Sequence, residues 1–183
     1  MRITSGQYRG KTLKTPKGRD TRPTSDRVRE SLFNILNHAK WSHALEDSTV
    51  LDLFCGTGAL GLEALSHGAS FCSFVDKSDA CARLNVAELQ VTEQTHILKT
   101  DALKLPERPS LIKPANFVFV DPPYDKDLGG KALNRALEKN WIAPQSICII
   151  ESSKKHPENI SDNFELLDER TYASTMVRCY RAE

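Results

Sequence analysis

Leu51-Asp52-Leu53-Phe54-Cys55-Gly56-Thr57-Gly58-Ala59-Leu60-Gly61 carries an apolar strand into a glycine-rich turn and out into a helix. Gly56, Gly58 and Gly61 have the G-x-G-x-x-G spacing of dinucleotide sites, where small residues allow a tight turn and close approach of a ligand. Asp76 closes the next strand, placed to accept two ribose hydroxyls. The spacing alone is weak and leaves an NAD-binding enzyme as a rival. Asp52 shifts the balance, because a carboxylate beside the turn suits a pyrophosphate poorly. It suits the ammonium and sulfonium of S-adenosylmethionine, which it can orient directly or through water. Asp101, after the third strand, can receive an adenine amino group, with backbone contacts from Ala102. Phe54 is counted with the cofactor contacts at the entry to the turn, whereas Gly61 can serve helix packing alone.

Outward from this turn, short apolar strands alternate with amphipathic helices. Strands are expected over 50–54, 71–75, 96–99, 117–120 and 147–150, and helices over 59–66, 79–90 and around 131–138. This is the crossover pattern of a mostly parallel α/β sheet. A terminal pair at 164–170 and 176–181 brings the expected doubly wound sheet to seven strands with an antiparallel addition. Toward the N-terminus, 3–5 and 11–13 read as a short hairpin and 16–23 as a linker. Thr24 or Ser25 then caps a helix whose apolar series is Val28, Leu32, Phe33, Ile35, Leu36 and Ala39. The expected division is a hairpin and linker over 1–20 and a catalytic domain over 21–183.

Phe117-Val118-Phe119-Val120-Asp121-Pro122-Pro123-Tyr124 sets a second motif at a strand's carboxyl end, where open α/β sheets bind ligands. Two prolines stiffen the loop and remove two backbone donors while leaving acceptors. The Asp121 carboxylate and the Pro122 carbonyl can hold both hydrogens of an amino group and aim its lone pair at a sulfonium methyl. Tyr124 offers a ring for a planar base to stack on.

A chain of 183 residues suits one substantial core, and its longest apolar runs are too short to span a bilayer. Five scattered cysteines and no apolar leader core point to the cytoplasm; the five histidines have no ligand spacing, so no metal is expected. Charge is unevenly placed. Residues 1–30 hold nine lysines and arginines against three acids, a net +6, while the remainder is −5. That fits a local polyanion footprint through Arg2, Arg9, Lys11, Arg22, Arg27 and Arg29, or a merely solubilising extension.

Together with the turn and the Asp-Pro-Pro-Tyr loop, Ile3-Thr4-Ser5-Gly6-Gln7-Tyr8-Arg9-Gly10-Lys11 and Thr21-Arg22-Pro23-Thr24-Ser25-Asp26-Arg27-Val28-Arg29-Glu30-Ser31-Leu32-Phe33-Asn34 carry a resemblance. Over nearly its whole length the chain resembles the bacterial small-subunit ribosomal RNA guanine-N2 methyltransferases, within the Rossmann-like methyltransferases. The resemblance implies N2-methylguanine in 16S ribosomal RNA as product and a small-subunit particle or its assembly intermediate as partner, with S-adenosyl-L-methionine as cofactor; a monomer is expected. It assigns cofactor contacts to Asp52, Gly56, Gly58, Asp76 and Asp101, and target-base contacts to Asp121, Pro122 and Tyr124. Ser78 departs from an acidic residue common in the family, and Ala173-Ser174-Thr175 from a glycine-containing turn. Adenine-N6 methylation of DNA or RNA uses the same amino-group geometry, as does methylation of a protein glutamine. A noncatalytic RNA-binding factor would explain the basic segment but not both sites.

Overall fold

The computed structural model describes residues 1–16, 26–42, 44–123 and 127–183. Its centre is a seven-stranded sheet of β1 (Thr49–Leu53), β2 (Phe71–Asp76), β3 (Thr95–Lys99), β4 (Ala115–Val120), β5 (Ile142–Ser153), β6 (Phe164–Tyr172) and β7 (Thr175–Ala182). The order is β3-β2-β1-β4-β5-β7-β6. β1 to β5 run parallel, and β7 is antiparallel to both β5 and β6. The expected doubly wound sheet with an antiparallel addition is therefore present, with β7 inserted between β5 and β6. β5 is much longer than its apolar centre predicts. Its first half contains polar residues, a register irregularity against β4 and a left-handed Gln145, which hide it from a search for hydrophobic runs.

Among the described residues, four α-helices, α1 (Asp26–His38), α2 (Ala59–Ser66), α3 (Ala80–Glu88) and α4 (Gly129–Glu138), cover both faces. Val50, Phe117, Phe119, Ile147 and Ile149 pack with Leu32, Phe33 and Leu36 of α1, Leu62 and Leu65 of α2, and Val86 of α3. The alternate strand residues Leu51, Leu53, Val118, Val120, Cys148 and Ile150 pack with Ala132, Leu133 and Ala136 of α4. Burial on both faces is why these strands read as unbroken apolar runs.

The N-terminal hairpin is less regular than expected. A single antiparallel bridge joins Arg2 and Thr12, flanked by Ile3 N–H to the Lys11 carbonyl (2.9 Å) and Leu13 N–H to the Met1 carbonyl (3.1 Å). The ladder stops because the Thr4 and Ser5 amides donate to the Glu63 carboxylate of α2 (3.0 and 2.9 Å). Ile3 and Leu13 are buried in the core beside α1 and α2. The helix cap expected at Thr24 or Ser25 and the boundary expected at residue 20 lie outside the described residues, and Ala39 lies just past the end of α1.

Candidate active site

The carboxyl ends of β3, β2, β1 and β4 stand side by side, and a residue expected to bind a ligand lies at or just past each. Backbone bonds tie the ends together: Thr100 N–H to the Asp76 carbonyl (2.9 Å), Cys55 N–H to the Val75 carbonyl (3.1 Å), and Asp121 N–H to the Leu53 carbonyl (3.4 Å). From β1 the chain winds to β2 on one side, while β4 flanks β1 on the other. Such a reversal at the carboxyl edge is the ordinary ligand position of an open α/β sheet.

The turn after β1 is built on left-handed backbone at Phe54 (φ 60), Gly56 (φ 53) and Gly58 (φ 78). Such a conformation is costly for Phe54 and easy for glycine. Asp76 holds the turn from the neighbouring strand: Oδ2 accepts from Gly56 N–H (2.9 Å) and Oδ1 from Ser78 N–H (2.8 Å). Each carboxylate oxygen has two lone pairs, so both retain capacity for a hydroxyl. A Cβ at Gly56 would meet nothing within 4 Å, so open space lies above the turn at this point. Gly61 differs, since a Cβ there would lie 2.4 Å from the Phe74 ring and 2.5 Å from Cys72 Sγ. Its role is close packing of α2 on β2.

Asp52 is 1% exposed, and its Oδ2 accepts from Gly61 N–H at 2.9 Å. Burial pushes its carboxyl up to about 7, opposed by the Gly61 hydrogen bond and assisted by the Asp76 charge. Within the fold it braces β1 against the first turn of α2. Asp101 accepts from Leu103 N–H (3.0 Å) and pairs with Lys77 (3.1 Å), contacts that hold its carboxyl below the usual range. Ala102 opens the short 3-10 turn Ala102–Lys104 and is buried. Burial, with Asp52 and Asp76 nearby, pushes the Cys55 thiol far up, leaving it a packing residue.

Asp121 is half-buried and Pro122 buried; Val120 beside them pairs with Leu53, so the motif begins next to the Phe54 turn. Tyr124 lies outside the described residues, as does Arg22. Of the residues expected to meet a polyanion, Arg2, Arg9, Lys11 and Arg27 are exposed. Arg29 corrects the expectation. It is 0% exposed, pairs with the equally buried Glu63 (3.0 Å) and with Asp26 (2.9 Å), and donates to the Arg2 carbonyl. Its guanidinium is committed to joining α1, α2 and the hairpin, and a phosphate could reach it only by opening that core. Among the described residues, no group of three or more His, Cys, Asp or Glu side chains could hold a metal ion.

Two residues unremarked in the sequence prove central. Glu63 accepts from both N–H and hydroxyl groups of Thr4 and Ser5 and from Arg29. Its signal was a lone acid in an otherwise apolar helix, Ala59-Leu60-Gly61-Leu62-Glu63-Ala64-Leu65. Asn85 is 1% exposed and bonds to the backbones of Lys14 and Thr57. Nothing in its local sequence marks it.

Comparison with known proteins is consistent along the chain. Residues 1–181 match the family model described as conserved hypothetical protein 95. Ribosomal RNA small subunit methyltransferase D of Haemophilus influenzae is 32% identical, over 99% of this chain and 93% of the relative. The Escherichia coli K12 protein of the same name is 31% identical, over 100% and 90%. The solved structure of yhhF from Escherichia coli superposes with a TM-score of 0.83 at 31% identity, covering 100% of this chain and 98% of that one. The Haemophilus influenzae HI0767 structure gives 0.76 at 30% identity, covering 99% and 97%.

Proposed function

Because this chain belongs to the ribosomal RNA small subunit methyltransferase D family, we propose that it transfers a methyl group from S-adenosylmethionine to the exocyclic N2 of a guanine in 16S ribosomal RNA, within the small subunit or an assembly intermediate. The observation that carries the reading is the adjacency of the Gly56 turn and Asp121 across neighbouring strands β1 and β4.

The residues present fit the cofactor. Open space above Gly56 lets a ligand approach the turn, Asp76 supplies acceptors for ribose hydroxyls, and Asp101 with Ala102 borders the adenine side. Asp52, held on Gly61 N–H beside the turn, is the acid that a bound cationic amino-acid moiety would draw into its charged form. When bound, S-adenosylmethionine supplies an electrophilic methyl on a sulfonium.

The chain's own work is to orient a poor nucleophile. A guanine amino group is delocalised into its ring, so the Asp121 carboxylate and the Pro122 carbonyl accept its two hydrogens and turn the nitrogen lone pair toward the methyl. Asp121 also stabilises the positive charge that develops on nitrogen and accepts the departing proton. Tyr124 stacks on the base, and exposed Arg2, Arg9, Lys11 and Arg27 meet phosphates.

The test is methyl transfer to undermodified small subunits, naked 16S RNA, DNA and protein, with the modified nucleoside identified by mass spectrometry. N2-methylguanine in small-subunit RNA is expected. N6-methyladenine, a methylated protein or no transfer would overturn the assignment.

A further inference from the structure

Residues 1–14 run along α2 and finish against the cofactor turn. At the far end of α2, Gln7 N–H donates to the Ser66 carbonyl and Tyr8 N–H to Ser66 Oγ, both at 2.9 Å. Glu63 holds Thr4 and Ser5 midway. At the near end, Thr57 Oγ1 lies 3.4 Å from Met1 Sδ.

Asn85 completes this path from α3. Its Nδ2 donates to the Thr57 carbonyl (2.8 Å) and the Lys14 carbonyl (3.1 Å), while its Oδ1 accepts from Lys14 N–H (2.7 Å). Both donors and the acceptor of one buried amide thus go to two other backbone segments. Thr57 lies between two left-handed glycines, and a peptide unit is planar. Fixing the Thr57 carbonyl therefore fixes the orientation of Gly58 N–H at the start of α2.

We propose that Asn85 is a positioning residue that couples the basic N-terminal hairpin to the cofactor turn, so that filling the turn orders the hairpin and substrate held on the hairpin tightens the turn. The inference rests on the methyltransferase reading for the identity of both ligands. Ordering the shared backbone once serves both binding events, and thermodynamic linkage makes the effect reciprocal.

Hydrogen exchange of the full-length protein with and without S-adenosylhomocysteine tests it. In the wild type, the ligand should slow exchange about fivefold both at the turn and in residues 1–16. In Asn85→Ala the slowing at the turn should persist while that of the hairpin disappears, with a melting curve confirming the fold. Undermodified small subunits should tighten S-adenosylhomocysteine about fivefold in the wild type and not in the variant. Should Asn85→Ala fail to fold, Lys14→Pro deletes the N–H that Asn85 accepts and should uncouple the hairpin likewise. A wild-type hairpin that ignores the ligand, or a variant whose hairpin still responds, overturns the inference. Absent methyl transfer to RNA would sink the substrate reading alone, because the hairpin's response to S-adenosylhomocysteine is read without RNA. No binding of S-adenosylhomocysteine would sink both.

Discussion

Two carboxylates at neighbouring strand ends do different work because their surroundings differ. Asp121 stands half-buried after β4, while Asp52 is sealed beneath the turn on Gly61 N–H. Asp121→Ala should keep S-adenosylmethionine binding and lose transfer by roughly a hundredfold, about 3 kcal/mol of transition-state stabilisation. Asp121→Asn, which keeps one acceptor, should lose less. Single-turnover transfer beside a cofactor titration measures this, and a folded Asp121→Ala enzyme at the wild-type rate would remove the residue from catalysis. Asp52 yields a pH signature. Its folded carboxyl titrates at about 7, above the ordinary 3.8, so the folded state holds a proton that the unfolded state has released between those values. The stabilising contribution is complete at low pH and is lost as pH rises, by at most about 1.4 kcal/mol per pH unit. Relative to Asp52→Asn, the ligand-free wild type should therefore lose stability from about pH 4 to 7 and level off above. Denaturant midpoints that stay parallel across that range would show that Asp52 does not titrate so.

Docking of the hairpin on α2 depends on one close approach. Gly6 has φ +75, and a Cβ there would lie 1.9 Å from the Ser66 carbonyl oxygen, a backbone atom with no rotamer to yield. Gly6→Ala should cost on the order of 3 kcal/mol, combining left-handed strain with displacement of the hairpin. A melting temperature within a degree of wild type would mean the hairpin is not held this way. The β6–β7 turn presents the opposite situation. Within the stretch where the resemblance leads one to expect a glycine-containing turn, Ala173 occupies left-handed backbone at φ 54. Ala173→Gly should relieve that strain for a net gain of roughly 0.5 kcal/mol after the extra freedom glycine gives the unfolded chain. Chemical denaturation of the pair measures it, and a destabilised variant would show that the Ala173 methyl contributes packing.

Across the molecule, the sheet carries the site on its carboxyl edge, and the hairpin runs along α2 with Met1 against the same turn and exposed Arg9 beside the far end of the helix at Ser66. Neutralising Arg9 and Lys11 should weaken binding to small subunits and reduce the slope of log affinity against log salt by about 1 to 2, since each phosphate contact contributes somewhat less than one unit. An unchanged slope in a folded variant would make the basic segment a solubilising surface. The parallel sheet, its helices, the glycine turn and the strand-end carboxylates were legible in the sequence because each rests on local chemistry: apolar runs of strand length, helical spacing, and residues next to one another in the chain. The fates of Arg29, Glu63 and Asn85 were not. An arginine among other arginines looks like a phosphate contact until a carboxylate from α2 is folded against it, and an ordinary asparagine gains its role only where α3 brings Lys14 and Thr57 within reach. Sequence determined the apolar centres of the sheet strands and which residues follow the strands at the site, because those depend on neighbours along the chain. Tertiary structure alone decided which polar groups were buried together, because desolvation and partner geometry exist only once distant segments meet.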